Sequence, residues 1–438
     1  METIVALATP PLQSALALVR VSGDEAFSIT EKLLGRKLNL TDHAEIRHGK
    51  LSLDGKTIDD VVLLCYPNPH SMTGEDVVEI SCHGSPLIAD EIIQAYRSLG
   101  ARYATNGEFT SRAFINGKVD LVQAEAINDL IKAVTKESKN LALLSLSGQT
   151  SQLLQPLMTK VGEALSRIEV GIDYPEYDEE EPLTLNEVSS MCEEILENLK
   201  CLIANGEKSQ YVREGVDVAL VGEPNVGKSS LLNALLSEDK AIVSAVPGTT
   251  RDVVEGTISI KGLPVRLYDT AGIRDTQDEI ERLGVERSKR ILEKAELVLL
   301  VVDDQNPEIE TFNELLRGKR VIVVHNKSDQ TESREEGVLY ASAIRQDVES
   351  VKDAIYDALS LNDEVYVTPA LSSARELALL RLVHSDIEEA LSLCKDCQTL
   401  DLVSVPLQRA FNHMREVLGL DPTQDFSDEI FSRFCVGK

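Results

Sequence analysis

Between residues 214 and 369 the chain repeats one pattern: a short apolar or β-branched run, a loop, then a helical stretch. The runs are VDVALVG, TISI, PVRLYD, LVLLVVD and RVIVVHN, and several are apolar at consecutive positions instead of alternating. A strand buried on both faces reads that way, so the segment predicts a doubly wound α/β sheet. Residues 1–118 carry a mixed signal. Short strand-like runs (IVALAT, ALALVRV, VVLLCY, DVVEISC) accompany helical ones (EAFSITEKLL, IADEIIQAYRSLG). Pro and Gly punctuate them, which predicts a compact α+β unit. From 119 to 213 the apolar period is helical, beginning with DLVQAEAINDLIKAVTKESKNLALLSL. An acidic break, DYPEYDEEEP at 173–182, interrupts it and reads as a solvated linker, since it lacks a calcium-loop pattern. Helical runs return in 370–438 (ARELALLRLVHSDIEEALSLC, VPLQRAFNHMREVLGL). The economical packing is one helical domain, made of 119–213 and 370–438, with the α/β domain inserted.

Charge adds a constraint. The 438 residues carry a formal net charge of −29. Affinity for nucleic acid comes from Lys and Arg releasing counterions, so RNA repels this chain at long range. An RNA-related role needs a local basic patch or a partner that supplies the charge. The seven cysteines are scattered, and METIVALATPPLQ lacks the basic flank of a signal peptide and is broken by prolines. Reduced thiols and a cytoplasmic location are expected. Cys394 and Cys397 form a lone CxxC; without a second pair they read as helix residues that bind no metal. No apolar run approaches the length of a membrane span.

GEPNVGKS, from Gly222 to Ser229, fits G-x-x-x-x-G-K-[ST] directly after the strand-like VDVALV and before the helical SLLNALLS. Glycines let backbone N–H groups wrap phosphates, Lys228 neutralises β/γ oxygens, and Ser229 ligates magnesium at a helix N-terminus. Asn225, Val226, Gly227 and Ser230 complete the expected loop contacts. PGTTRD at 247–252 lies where a switch loop belongs, and Thr250 would close on magnesium when a γ-phosphate is present. DTAG ends another strand: Asp269 suits a Walker-B carboxylate and the Gly272 N–H a γ-phosphate sensor, with Thr270 and Ala271 between them. NKSD at 326–329 supplies Asn326, Lys327 and Asp329. The two acceptor oxygens of Asp329 match the paired N–H donors of guanine, which adenine lacks, so GTP is expected over ATP. Ser342 and Ala343, in ASA, are placed to support the base. Four ordered elements at strand ends predict a GTPase domain.

One position breaks the pattern. After Gly272, where many GTPases keep a glutamine that aims the attacking water, stands Ile273. An aliphatic chain cannot hold a water. The Asn225 amide oxygen is placed to hold a monovalent cation against the phosphates, countering charge as an arginine finger does. Arg274, Asp275, Asp278, Glu279 and Glu281 all follow, and one of the carboxylates would orient the water. Spacing does not choose among them.

The chain resembles the MnmE (TrmE) family, in the TrmE–Era–EngA–YihA–Septin-like class of GTPases. The likeness extends beyond the GTPase motifs to TIVALATPP, VRVSG, SMTGEDVVEISCHG, NGEFTSRAFINGKVDLVQAEAINDLI, GIDYPE and the terminal IFSRFCVGK. It implies an α/β multidomain protein. An α+β folate-binding and dimerisation domain (1–118) precedes an all-α helical domain (119–213 and 370–438), which holds an inserted Ras-like P-loop GTPase domain (214–369). It implies Glu281 as the carboxylate acting on the hydrolytic water and Arg274 as an assisting switch residue. Asn225, Ser244, Val246 and Thr249 would line a potassium site beside magnesium on Ser229 and Thr250. GTP contacts would extend over Ser244, Ala245, Val246, Pro247, Gly248 and Thr249. Arg20, Glu79, Lys118 and Lys438 would bind 5-formyl- or methylene-tetrahydrofolate, with Cys435 close by. The implied assembly is a homodimer that joins the FAD-carrying partner MnmG in a heterotetramer, meets tRNA mainly through that partner, and modifies carbon 5 of the wobble uridine. FAD belongs to the partner only, and no membrane is involved. Two departures stand out: PLQSAL (11–16) replaces a Gly-Arg-Gly run, and SSARE keeps Arg375 but puts Glu376 at a histidine position.

Two other readings compete. A ribosome-assembly GTPase of the Era kind would need a basic RNA-binding module, and none is visible. A non-catalytic scaffold switched by GTP would bind nucleotide without turning it over.

Overall fold

The structure is a computed structural model describing residues 1–173, 183–238, 256–270, 290–303, 312, 316–330, 337–420, 430, 431, 434, 436 and 437. Two compact units divide the chain: Met1–Asn128 with Arg415–Lys438, and Asp129–Met414.

The first unit runs β1 (Ile4–Leu7), β2 (Leu16–Ser22), α1 (Ala26–Leu34), β3 (Glu45–Leu53), β4 (Lys56–Tyr66), β5 (Val77–His83), α2 (Pro86–Ser98), β6 (Arg102–Tyr103) and α3 (Glu108–Ile115). After α3 comes the start of α4 (Leu121–Lys132). Its six strands lie in the order β3-β4-β5-β2-β1-β6, antiparallel except for the β1–β6 pair. The period-two alternation of β2 sends Ala17, Val19 and Val21 into a core with Ile29 and Leu33 of α1 and Ile92 and Tyr96 of α2. Leu18 and Arg20 therefore point to the opposite face. There Phe109 of α3 packs with Ile4, Ala6 and Ala104, while Phe431 and Phe434 bury against Phe114, Leu121 and Ala124. The terminal segment thus belongs to this unit. Strand β3 was not among the predicted runs. It is an edge strand with one buried residue, Leu51, and charged or polar side chains along much of its length, as exposed sheet edges require.

Glu108, at the start of α3, has an acid-sensitive role. Burial pushes its pKa up, but hydrogen bonds from Arg102, the Thr105 N–H and Arg112 outweigh that and hold it at about 2, against an ordinary 4.5. Its ionised form therefore contributes stability that is complete above pH 4.5 and lost as the pH falls through about 2. Acid unfolding followed by circular dichroism should be less steep over that window in Glu108→Gln than in the parent. Equal slopes would contradict the assignment.

The second unit holds α5 (Lys136–Leu146), α6 (Gln155–Asp173), α7 (Leu185–Glu214), β7 (Val216–Val221), α8 (Lys228–Glu238), β8 (Gly256–Ile260), β9 (Leu263–Asp269), β10 (Leu297–Asp303) and β11 (Arg320–Asn326). Helices α9 (Glu349–Ala358), α10 (Ala374–Lys395) and α11 (Leu400–Leu418) follow, the last ending beyond the unit's boundary. The five strands are ordered β11-β10-β7-β9-β8, parallel except for the β8–β9 hairpin. Alternate residues of β7 and β10 enter two cores. Val218, Leu220, Leu297 and Leu299 go to one; Val221, Val298, Leu300 and Val302 go to the other. That two-sided burial is why these strands read as unbroken apolar runs. Helix α7, before the sheet in sequence, packs along α10, after it.

Two readings need adjustment. SSARE is a capping box: Glu376 N–H donates to Ser373 Oγ at 3.1 Å, and Ser373 N–H donates to Glu376 Oε2 at 2.9 Å. The glutamate at the histidine position thus closes the first turn of α10, a role its S-x-x-E spacing could have announced. Cys394 is buried in α10, but Cys397 lies beyond the helix end at φ 54, so the pair does not share a helix as expected. No helix among the described residues is long and apolar enough to cross a membrane.

Candidate functional site

Strand β7 lies between β10 and β9, where the strand order reverses, and the loop 222–227 leaves its end. In open α/β sheets a crevice forms outside the strand ends at such a reversal of strand order. The loop's backbone is tightly enclosed. A Cβ on Gly222 would lie 2.1 Å from the Val301 carbonyl, and one on Gly227, at φ 92, would lie 2.4 Å from Asn326 Nδ2. Only glycine fits either place. Asn225 takes a left-handed φ of 68, a conformation asparagine tolerates. Its side chain is exposed and, with Asp303, Phe312 and Lys327, lines a cavity of about 220 Å³.

Lys228 opens α8. Its ammonium donates to the carbonyls of Gly222 and Glu223 at 2.8 and 2.9 Å. Burial pulls its pKa down, opposed by the charges of Asp269 and Glu223. An anionic ligand at the loop would relieve that penalty by pairing with the cation. Next to it Ser229 Oγ donates to Asp269 Oδ2 at 2.6 Å, while the other carboxylate oxygen, Oδ1, is buried without a partner. A carboxylate with one oxygen left over beside a hydroxyl is an oxygen donor set that suits a hard divalent cation, and magnesium fits it. Thr270 is buried, its hydroxyl donating to the Leu220 carbonyl at 2.6 Å, and so anchors the end of β9 to β7. Ser230 is exposed on the first turn of α8 and Val226 is buried under the loop.

The base-side residues assemble at the end of β11. Asn326 Nδ2 donates to the Val226 carbonyl at 2.8 Å, and its Oδ1 accepts from the Ala343 N–H at 3.4 Å. The asparagine therefore ties the phosphate loop to the segment that carries Ser342. Ser342 Oγ in turn donates to Asp329 Oδ1 at 2.7 Å, which holds the Asp329 carboxyl below its usual range. Lys327, at φ 61, pairs with Asp303 at 2.7 Å. Asp303 escaped the sequence reading, although its place as the polar terminus of LVLLVVD was a signal. Ser244, Ala245, Val246, Pro247, Gly248, Thr249, Thr250, Ala271, Gly272, Arg274 and Glu281 lie outside the described residues, as does most of the acidic linker.

A second cluster sits in the first unit. Arg20 and Glu79 are register partners on β2 and β5, and Arg20 Nε and Nη2 both donate to Glu79 Oε1, at 2.9 and 2.7 Å. Arg20 Nη1 donates to the Gly437 carbonyl at 2.9 Å. The VRVSG motif and the chain terminus thus meet, 417 residues apart in sequence. Lys118 is not part of that pair; its ammonium donates to the Pro69 carbonyl at 2.8 Å, between β4 and β5. Cys435 and Lys438 lie outside the described residues. A guanidinium and a carboxylate side by side on a partly buried sheet face suit a ligand with a hydrogen-bonding ring and an anionic tail.

Comparison with known proteins agrees across the whole chain. The family model for the GTP-binding protein TrmE N-terminus matches residues 3–118, and that for the MnmE helical domain matches 121–435. The tRNA modification GTPase MnmE of Geobacillus thermodenitrificans is 39% identical over 462 residues, covering 100% of this chain and 99% of its own. Its namesake from Mycoplasma mycoides is 38% identical, covering 100% and 99%. That of Bacillus subtilis is 37% identical, covering 100% of both. With strand-end nucleotide motifs on a doubly wound sheet and both family models matched in order, the chain belongs to the MnmE (TrmE) family, whose relatives here are named tRNA modification GTPases.

Proposed function

We propose that the chain is a potassium-dependent GTP hydrolase working in modification of the wobble uridine of certain tRNAs. The observation that carries the hydrolase reading is the Ser229–Asp269 pair with its leftover buried oxygen, set beside the Lys228 loop. Ser229 and Asp269, with Thr250, would hold magnesium, which neutralises charge on the β and γ oxygens. Lys228 supplies the second countercharge, and Asp329, braced by Ser342, selects guanine. Asn225 would hold potassium together with Ser244, Val246 and Thr249. Glu281 would orient the attacking water and Arg274 assist. Ile273 has no atom to do so. The packing of α7 along α10 supports a helical domain that closes around the inserted GTPase domain.

In the first unit, Arg20 and Glu79, with Lys118 and Lys438, would bind 5-formyl- or methylene-tetrahydrofolate, the source of one carbon, and Cys435 would lie close by. An FAD-dependent partner of the MnmG kind would complete a heterotetramer around a homodimer and take most tRNA contacts, which fits a net charge of −29. GTP hydrolysis would drive opening and closing of the GTPase domains instead of supplying the bond chemistry. A cytoplasmic setting follows from the tRNA substrate. Mass spectrometry of wobble uridine from cells lacking this protein should show loss of the aminomethyl-type group, restored on complementation. An unchanged nucleoside profile would contradict the proposal.

A further inference from the structure

We propose that Arg112 is a positioning residue for the Arg20–Glu79 pair, acting through Phe109 and Glu75. The inference rests on the folate reading of that pair. Arg20 has its directions fixed by three partners: Glu79, the Gly437 carbonyl, and the Phe109 ring, whose centroid lies 5.7 Å from the guanidinium carbon. That distance is within cation–π range. Phe109 is fully buried on α3, and Arg112 lies one turn further along the same helix face. Arg112 Nη1 reaches Glu75 Oε2 at 2.8 Å, and the same oxygen accepts from Ser22 Oγ at 2.7 Å. Ser22 is two residues beyond Arg20 on β2, so it shares Arg20's face of the strand.

The contacts close a circuit. From Arg20 the backbone leads to Ser22; side chains then link Ser22, Glu75 and Arg112; α3 leads back to Phe109; and Phe109 lies under Arg20. Glu75, Arg112, Ser22 and Phe109 are each less than a tenth exposed. Glu108 extends the clamp by accepting from Arg112 at 2.9 Å and Arg102 at 2.6 Å. One oxygen of Glu75, Oε1, is buried without a partner. A buried pair left partly unsatisfied is a poor device for stability, and apolar residues of the same volume often do better. Its value lies in geometry. The fork of Arg112 sets the distance and rotation of α3 against β2, and with them the seat of the Arg20 guanidinium.

The test is a thermodynamic cycle on the full-length chain, with 5-formyl-tetrahydrofolate titrated calorimetrically. Arg112→Lys keeps the charge and loses the fork; Phe109→Leu keeps an apolar though smaller side chain and loses the ring. Each is expected to weaken binding about tenfold, and neither to weaken it further in an Arg20→Ala background, a coupling typical of residues acting as one unit. Effects that multiply with Arg20→Ala would overturn the positioning role, as would an unchanged affinity in both variants. Should Arg112→Lys fail to fold, Glu75→Gln, which keeps the shape and removes the charge that Arg112 pairs with, takes its place in the cycle. If Arg20→Ala itself binds folate normally, the folate reading falls and takes the inference with it, an outcome distinct from the others.

Discussion

Asparagine in place of Asp329 is expected to weaken GTP binding about a thousandfold or more and to let xanthosine triphosphate bind instead. Asp329 lies in the turn Ser328–Gln330 after β11, half-buried, with Ser342 Oγ on one of its oxygens at 2.7 Å. That hydrogen bond lowers its pKa, so the group is ionised at neutral pH. A carboxylate has about four lone-pair sites, which leaves acceptors for both N–H donors on guanine's edge after Ser342 is served. The amide of asparagine replaces an acceptor with a donor and drops the charge. Two charge-assisted bonds are lost, and one guanine donor then faces another donor. Xanthine carries a carbonyl where guanine has its amino group, so the asparagine amide finds an acceptor there. Equilibrium binding of the two triphosphates to parent and variant measures the switch. Equal losses for both nucleotides would indicate a misfolded site, and undiminished GTP affinity would remove Asp329 from base recognition.

Glu281→Ala should lower kcat for GTP about a hundredfold or more while nucleotide affinity stays close to the parent's. The reason is the side chain after Gly272: Ile273 offers no polar atom, so the water must be aimed by another group. A residue that acts only on the attacking water contributes to the transition state and little to ground-state binding, so kcat should fall without a rise in KM. Asp275→Ala, Asp278→Ala and Glu279→Ala serve as controls and should retain most activity. Single-turnover hydrolysis with saturating enzyme separates chemistry from binding. If one of the controls, and not Glu281→Ala, loses turnover, the carboxylate has been misassigned. If all four turn over normally, the water is held by other means.

Legibility in the sequence followed sequence distance. The phosphate loop, the β7 and β10 strands and the helix after Lys228 all announce themselves within a few residues, because their apolar periods and glycine spacing are local consequences of burial and backbone approach. The pairing of Asn326 with the Val226 carbonyl spans 100 residues and leaves no local mark. The same holds for Arg112 and Glu75, 37 residues apart, in motifs whose residue types alone look like surface charges. Strand β3 was missed because an edge strand must be polar to avoid pairing with other chains, and so loses the apolar signature of a strand. The six-strand order β3-β4-β5-β2-β1-β6 likewise depends on contacts that no periodicity encodes. Glu376 was legible in principle as half of a capping box, yet its family position drew attention to the histidine it replaces.

The central claim is that a potassium ion on the Asn225 loop supplies the countercharge for the departing γ-phosphoryl group, while another side chain aims the water that Ile273 cannot hold. It is tested most directly by initial rates of GTP hydrolysis with potassium, sodium or caesium as the sole alkali cation, at matched ionic strength and saturating magnesium. Hydrolysis in potassium should be faster by about tenfold or more, with the advantage lost in Asn225→Ala. Equal rates in all three salts would contradict it.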